Sequence, residues 1–128
     1  SENPVYYVQY AHARICSLIS AMAEEGHVVP KSGEIDASLM NTEQERELIK
    51  QLAMFTEEIR LAARDYDPSR INRYVTELAA RFHRFYNNCR IKDAEPALRD
   101  ARLILCDCTE KVIANALEIV GVSAPEKM

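Results

Sequence analysis

Tyr7, Tyr10 and Arg14 stand at i, i+3 and i+7, a spacing that places them within about 60° of one another around a helix. The centre of an apolar stripe built from Val5, Val8, Ile15 and Ile19 falls roughly 130° away on the same wheel. Two phenol rings and a guanidinium on a face the core does not claim are groups that single-stranded RNA can use. The rings take unstacked bases, and the guanidinium takes a phosphate or a base edge. The same spacing suits tyrosines packed at the rim of a wide core with their hydroxyls in water. By spacing alone, that second arrangement is the commoner one.

A second group is basic. Residues 68–90 carry Arg70, Arg73, Arg81, Arg84 and Arg90 against Glu77 alone, a local charge of +4 in a chain whose net charge is −4. The rest of the chain therefore sums to −8. Arg70 and Arg81 flank one side of the apolar stripe of this segment, Arg73 and Arg84 flank the other, and Tyr86 lies towards its end. Such a row can track a nucleic-acid backbone, but solvated rims paired with carboxylates are more frequent. Arginine outnumbers lysine 11 to 5, which suits forked recognition of phosphate or carboxylate.

No set of residues suggests catalysis or a metal. His12 lies on the apolar stripe and reads as a satisfied core histidine, while His27 and His83 have no visible partner. The acidic pairs Glu57 with Glu58, Asp65 with Asp67, and Asp107 with Glu110 read as helix-end charge. Cys16, Cys89, Cys106 and Cys108 lack metal-ligand spacing and read as reduced, packed thiols of a cytosolic protein. Glycine-rich phosphate loops, HExxH and GxSxG are absent, and three glycines leave little chain for a phosphate cradle.

The elements that must position these residues are helical. Asn3 and Pro4 predict a helix from about Pro4 to Glu24 with Val5, Val8, His12, Ile15, Ile19 and Met22 inward, ended by Gly26. Residues 26–41 are polar, contain Pro30 and Gly33 and show no period, so a mobile loop is expected, pinned by Leu39 and Met40. Thr42 and Glu45 have capping-box spacing and open a second helix with Leu48, Leu52, Phe55, Ile59 and Ala62 inward. Thr56 before Glu57 and Glu58 suggests a second cap and a corner. Asp67 and Pro68 start the next helix, which buries Ile71, Tyr74, Leu78, Phe82 and Phe85. The last runs from about Glu95 to Val120, with Leu98, Ala101, Leu105, Val112, Ala116 and Ile119 inward and Gly121 closing it. The expected fold is an all-α bundle of four to five helices.

Length and composition agree. The 128 residues, 48% hydrophobic and 28% charged, make one domain with a real core and exclude a disordered or collagenous chain. No apolar run approaches a membrane span, and no signal-peptide pattern opens the chain. Without an initiator methionine, the chain is expected to be excised from a longer one.

The string NPVYYVQYAHARICSL resembles the opening helix of the C-terminal domain of arginyl-tRNA synthetases, where the class I catalytic domain gives way to an anticodon-binding bundle. The resemblance continues through PSRINRYVTELAARFHRFYNNCRI and PALRDARLILCDCTEKVIANALEIVGVSAPEKM, which ends on a methionine after a Pro-Glu-basic triplet. It covers nearly all of residues 1–128 and implies the domain type known as the DALR anticodon-binding domain. The tetrapeptide itself is not intact; the region reads Asp100, Ala101, Arg102, Leu103, and Thr56 stands where many relatives place proline.

The resemblance implies a set of roles. Tyr7 and Tyr10 would contact splayed anticodon bases, Arg14 would supply charge, Tyr86 would form an opposing wall, and Met128 would close an apolar contact. Gln9 and His12 share the first motif and would serve in packing against the catalytic domain; Arg81 and Arg90 stand beside them as secondary candidates. The parent enzyme would be a cytoplasmic monomer that joins arginine to tRNA(Arg) through arginyl-adenylate, using ATP and Mg²⁺, with tRNA needed even for the first step. Its partners would be tRNA(Arg) and the catalytic domain of the same chain, with no membrane and no DNA. The ATP-binding motifs of class I synthetases are absent here, so this domain would bind and not catalyse. The competing reading is a helical protein–protein module using the Tyr7/Tyr10/Tyr86 surface, since tyrosine and arginine are also enriched at protein interfaces.

Overall fold

The side chain of Asn3 accepts a hydrogen bond from the Val5 amide at 2.9 Å, and Pro4 occupies the first helical position. Two of the orphan donors of a helix start are thereby answered or removed, and α1 runs Pro4–Glu24. The computed structural model describes residues 3–128. Among them are five α-helices, α1, α2 (Glu43–Ala53), α3 (Phe55–Arg64), α4 (Ser69–Asn88) and α5 (Pro96–Ile119), with two single-turn 3-10 helices and no strand. None of the helices is long and apolar enough to cross a membrane.

α4 is the centre of the bundle and packs against every other α-helix. Its apolar stripe explains why. Ile71, Tyr74, Leu78, Phe82 and Phe85 are all buried, as the helical period predicts, and each large side chain removed from water contributes about 1.5–3 kcal/mol. α1 and α5 lie against α4 and against each other, and α2 reaches both α4 and α5.

The predicted capping box at Thr42 is present and does more than cap. The Thr42 amide and hydroxyl donate to Glu45 Oε1 at 3.1 and 2.8 Å. Glu45 Oε2 accepts from Arg102 Nε at 2.7 Å, and Arg102 also donates to the Arg90 carbonyl at 2.5 Å. Glu45 is fully buried and Arg102 nearly so. Burial alone would raise the Glu45 carboxyl; the Arg102 and Thr42 hydrogen bonds outweigh it and hold the group below the ordinary carboxylate range. One ion pair thus fastens the start of α2, the turn after α4 and α5 together.

Several expectations need correction. The α2–α3 corner falls at Met54, two residues before the predicted cap, with Thr56 inside α3. The α4 helix starts at Ser69, one residue later than predicted; Asp67 still accepts from the Ser69 amide at 3.2 Å. Residues 26–41 are not wholly irregular, since Ser32–Glu34 and Ala37–Leu39 form the 3-10 turns. Met40 is buried, but Leu39 is exposed. Ile119 is exposed too, while Leu103, Cys106, Thr109, Ile113 and Leu117 form the buried line of α5. That helix is packed on more than one side, so a single stripe understates its buried arc. The four cysteines are free, but Cys108 is exposed and not packed.

Both glycine-ended helices close in the left-handed conformation. Gly26 (φ +87°) lets the His27 amide reach Met22 O at 2.9 Å, and Gly121 (φ +78°) lets the Val122 amide reach Leu117 O at 2.8 Å. The second closure turns the chain so that residues 122–128 run back towards α1.

Candidate nucleic-acid interface

One edge of α1 presents Tyr6, Tyr7 and Tyr10, which with Asn3 line a largely apolar cleft. Tyr6 and Tyr10 are 58% and 44% exposed, and Tyr7 is half-buried against the core. The imidazole of His83 from α4 lies beside two of the rings, with centroids 5.3 Å from Tyr7 and 6.5 Å from Tyr10. Burial, then the neighbouring Arg14 charge, pushes the His83 pKa down. In its neutral form the ring carries one donor and one acceptor.

Arg14 sits one turn further along. Its guanidinium carbon lies 4.4 Å from the centroid of the Tyr86 ring, within cation–π range. Tyr86 in turn stacks on buried Phe82 at 6.1 Å, so the platform under Arg14 is anchored in the core. The four residues grouped by spacing or resemblance, Tyr7, Tyr10, Arg14 and Tyr86, thus lie along the α1–α4 contact, where His83 of α4 meets the α1 rings. No carboxylate among the described residues pairs with Arg14.

The arginines of α4 are arranged differently. Arg70 pairs with Glu58, Arg73 with Asp67 at 3.5 Å, Arg81 with Glu47 at 3.1 Å and Glu77 at 2.8 Å, and Arg84 with Glu77 at 3.2 Å. Arg90, beyond the helix, pairs with Asp93 at 3.3 Å and is strongly exposed. These are the solvated rims that the sequence made the more frequent reading. Arg81, a secondary candidate, is largely buried by its partners, and Arg90 stands apart in the Arg90–Asp93 turn.

The opposite edge of α1 is closed by the end of the chain. Gln9 Nε2 donates to the Ser123 carbonyl at 3.0 Å and reaches its hydroxyl at 3.3 Å. His12 is 3% exposed; its Nδ1 lies 2.8 Å from the Pro125 carbonyl and its Nε2 lies 2.6 Å from Glu110 Oε2. Gln9 and His12, expected to pack against a catalytic domain, have their hydrogen bonds inside this chain. Met128 lies three residues past Pro125 and is 53% exposed.

Cys16 Sγ is 3.8 and 3.9 Å from the two His12 nitrogens, beside the ring and in line with neither. Burial, then Glu110 and Glu126, push its pKa up to about 11. His12, Cys16 and Glu110 bring three ligand-type atoms within 4.8 Å of one another. The 2.6 Å His12–Glu110 separation is a hydrogen-bond length, well short of the roughly 3.3 Å between two ligands on one tetrahedral zinc. The cluster is a hydrogen-bonded group.

Sequence reasoning missed Tyr6 and His83. Tyr6 and Tyr10 are related by i, i+4, a signal that was available. His83 is placed by the contact of α1 with α4, which no local pattern encodes.

Comparison with known proteins adds three findings. The model of the DALR anticodon binding domain matches residues 8–128. The arginine–tRNA ligases of Symbiobacterium thermophilum and Ruminiclostridium cellulolyticum are 53% and 47% identical over all of this chain, which spans 23% of their length. The structure of Thermus thermophilus arginyl-tRNA synthetase superposes with a TM-score of 0.83 and 32% identity, covering 95% of this chain and 21% of that one.

Proposed function

Because this chain belongs to the DALR anticodon-binding domain family, we propose that its aromatic edge binds the anticodon loop of tRNA(Arg) as the C-terminal part of a cytoplasmic arginine–tRNA ligase. The observation that carries this reading is Arg14, held on the ring of Tyr86 beside the exposed tyrosines of α1, with no carboxylate partner among the described residues. A guanidinium without a counter-charge is ready for phosphate, and exposed rings are ready for unstacked bases. Tyr10 and Tyr7 take the bases, Arg14 takes a phosphate or base edge, Tyr86 orients Arg14, and Met128 closes an apolar contact. In the whole ligase, a catalytic domain in the same polypeptide joins arginine to tRNA with ATP and Mg²⁺. This domain contributes recognition, with base contacts giving specificity and phosphate contacts giving position.

Titrating the chain at fixed low salt with an arginine tRNA transcript, and with one whose anticodon bases are altered, tests the proposal. Discrimination between the two is expected, and it should vanish in the Tyr7→Ala/Tyr10→Ala double variant. Each lost stacking contact removes about 1–3 kcal/mol. Equal binding of both transcripts, unchanged in the double variant, would instead assign the aromatic edge to a protein partner.

A further inference from the structure

We propose that His12, acting with Glu110, is the positioning residue that clamps the C-terminal segment against α1, and that the clamp holds only while the pair shares an extra proton. His12 bridges two acceptors from distant parts of the chain, the Pro125 carbonyl at 2.8 Å and Glu110 Oε2 at 2.6 Å. A carbonyl only accepts, an ionised carboxylate only accepts, and neutral imidazole has one N–H. Both bonds therefore coexist only if one more proton is present, on Nε2 or on the carboxyl. Once it leaves, the single remaining N–H must serve one acceptor or the other. The bond to the carboxylate is charge-assisted and the stronger of the two, so Pro125 is the partner released.

The groups around the ring leave the choice to this pair. From α1 comes the Cys16 thiol, held neutral with its pKa pushed up to about 11. From α5 comes Glu110; its neighbour Lys111 is occupied by Asp107 at 2.8 Å. From the C-terminal segment comes Glu126, whose charge is felt at Cys16. Among the described residues, side-chain hydrogen bonds of Gln9 with Ser123 also tie the segment to α1. Releasing Pro125 thus frees Glu126, Lys127 and Met128. Only the consequence for RNA rests on the function proposed above; the clamp itself does not.

The test is the backbone heteronuclear NOE of residues 126–128 in the ¹⁵N-labelled chain between about pH 5 and pH 9, the span in which histidine changes charge. In the unaltered chain the segment is expected to match the helices at low pH and to lose at least half of its NOE as pH rises. Glu110→Gln supplies an amide N–H to Nε2 and leaves Nδ1–H on Pro125, so its segment stays ordered throughout. His12→Asn offers an amide N–H but no titrating ring, and its profile is flat. A flat profile in the unaltered chain, or a Glu110→Gln profile that follows it, overturns the clamp. Affinity for an anticodon stem-loop, measured on the same samples, should fall with pH in the unaltered chain and not in Glu110→Gln. Absent RNA binding beside an intact NOE transition overturns the anticodon reading and leaves the clamp standing.

Discussion

Arg14 and the arginines of α4 have the same side chain and opposite circumstances. Those on α4 each meet a carboxylate, and Arg81 meets two. Arg14 meets the face of Tyr86 and no acid among the described residues. The charge row that stands out in the sequence is therefore largely neutralised, whereas Arg14, outside it, lies on an aromatic face with no carboxylate among the described residues. Counting basic residues points to α4; asking what each one faces points to α1. The lesson is general, since exposed ion pairs contribute little to stability but withdraw a cation from phosphate.

Substitutions separate the two kinds of arginine. The largest effect should come from Arg102, whose guanidinium is committed to buried Glu45 and the Arg90 carbonyl. Arg102→Ala strands a buried carboxylate and should cost about 3–5 kcal/mol, read as a large drop in the denaturant midpoint. Arg14→Gln should leave that midpoint nearly unchanged, weaken RNA binding and reduce the slope of log affinity against log salt by about one. A slope unmoved by Arg14→Gln would mean that this guanidinium touches no phosphate. Arg84→Gln should change stability by less than about 0.5 kcal/mol and leave the salt slope alone. If Arg84→Gln lowers the slope and Arg14→Gln does not, the contrast is inverted and α4 is the binding track.

The smallest effect concerns His83. Its folded pKa lies below the ordinary value because of burial and Arg14, so at acid pH the unfolded chain binds more protons than the native one. Native stability should therefore decline as pH falls through about 6.5. His83→Gln should flatten that part of the curve in urea titrations.

The sequence made the helices legible because capping and period act locally. Asn3–Pro4, Thr42 with Glu45, and the Ile71–Phe85 stripe each specify their element without help from the rest of the chain. It misplaced what depends on neighbours. Ile119 fits the helical period of α5, yet it is exposed because the packing of α5 sets the buried arc. Tyr7, Tyr10 and Arg14 could be grouped on a wheel, but Tyr86 joined them only through resemblance, and His83 needed the α1–α4 contact. Likewise His12 reads correctly as satisfied, while its partners lie 98 and 113 residues away, beyond any local pattern. Tyr66 carries φ +52° at the α3–α4 turn, where the next amide reaches Ala62 O at 2.9 Å. It does the work of a glycine with no glycine to announce it.

The return of the C-terminal segment to α1 has a consequence for how the domain is made. Synthesis proceeds from the N-terminus, and domains fold as their parts become available. Within this domain α1 emerges first, carrying Gln9 and His12, whose hydrogen-bond partners Ser123 and Pro125 follow 114 and 113 residues later. Throughout that interval the polar groups on this edge of α1 have no native acceptors from residues 123–125. A nascent chain halted just before Ser123 would hold the aromatic and arginine-bearing elements but not the closure. Protease sensitivity of stalled chains should drop only once residues 123–125 have cleared the exit tunnel.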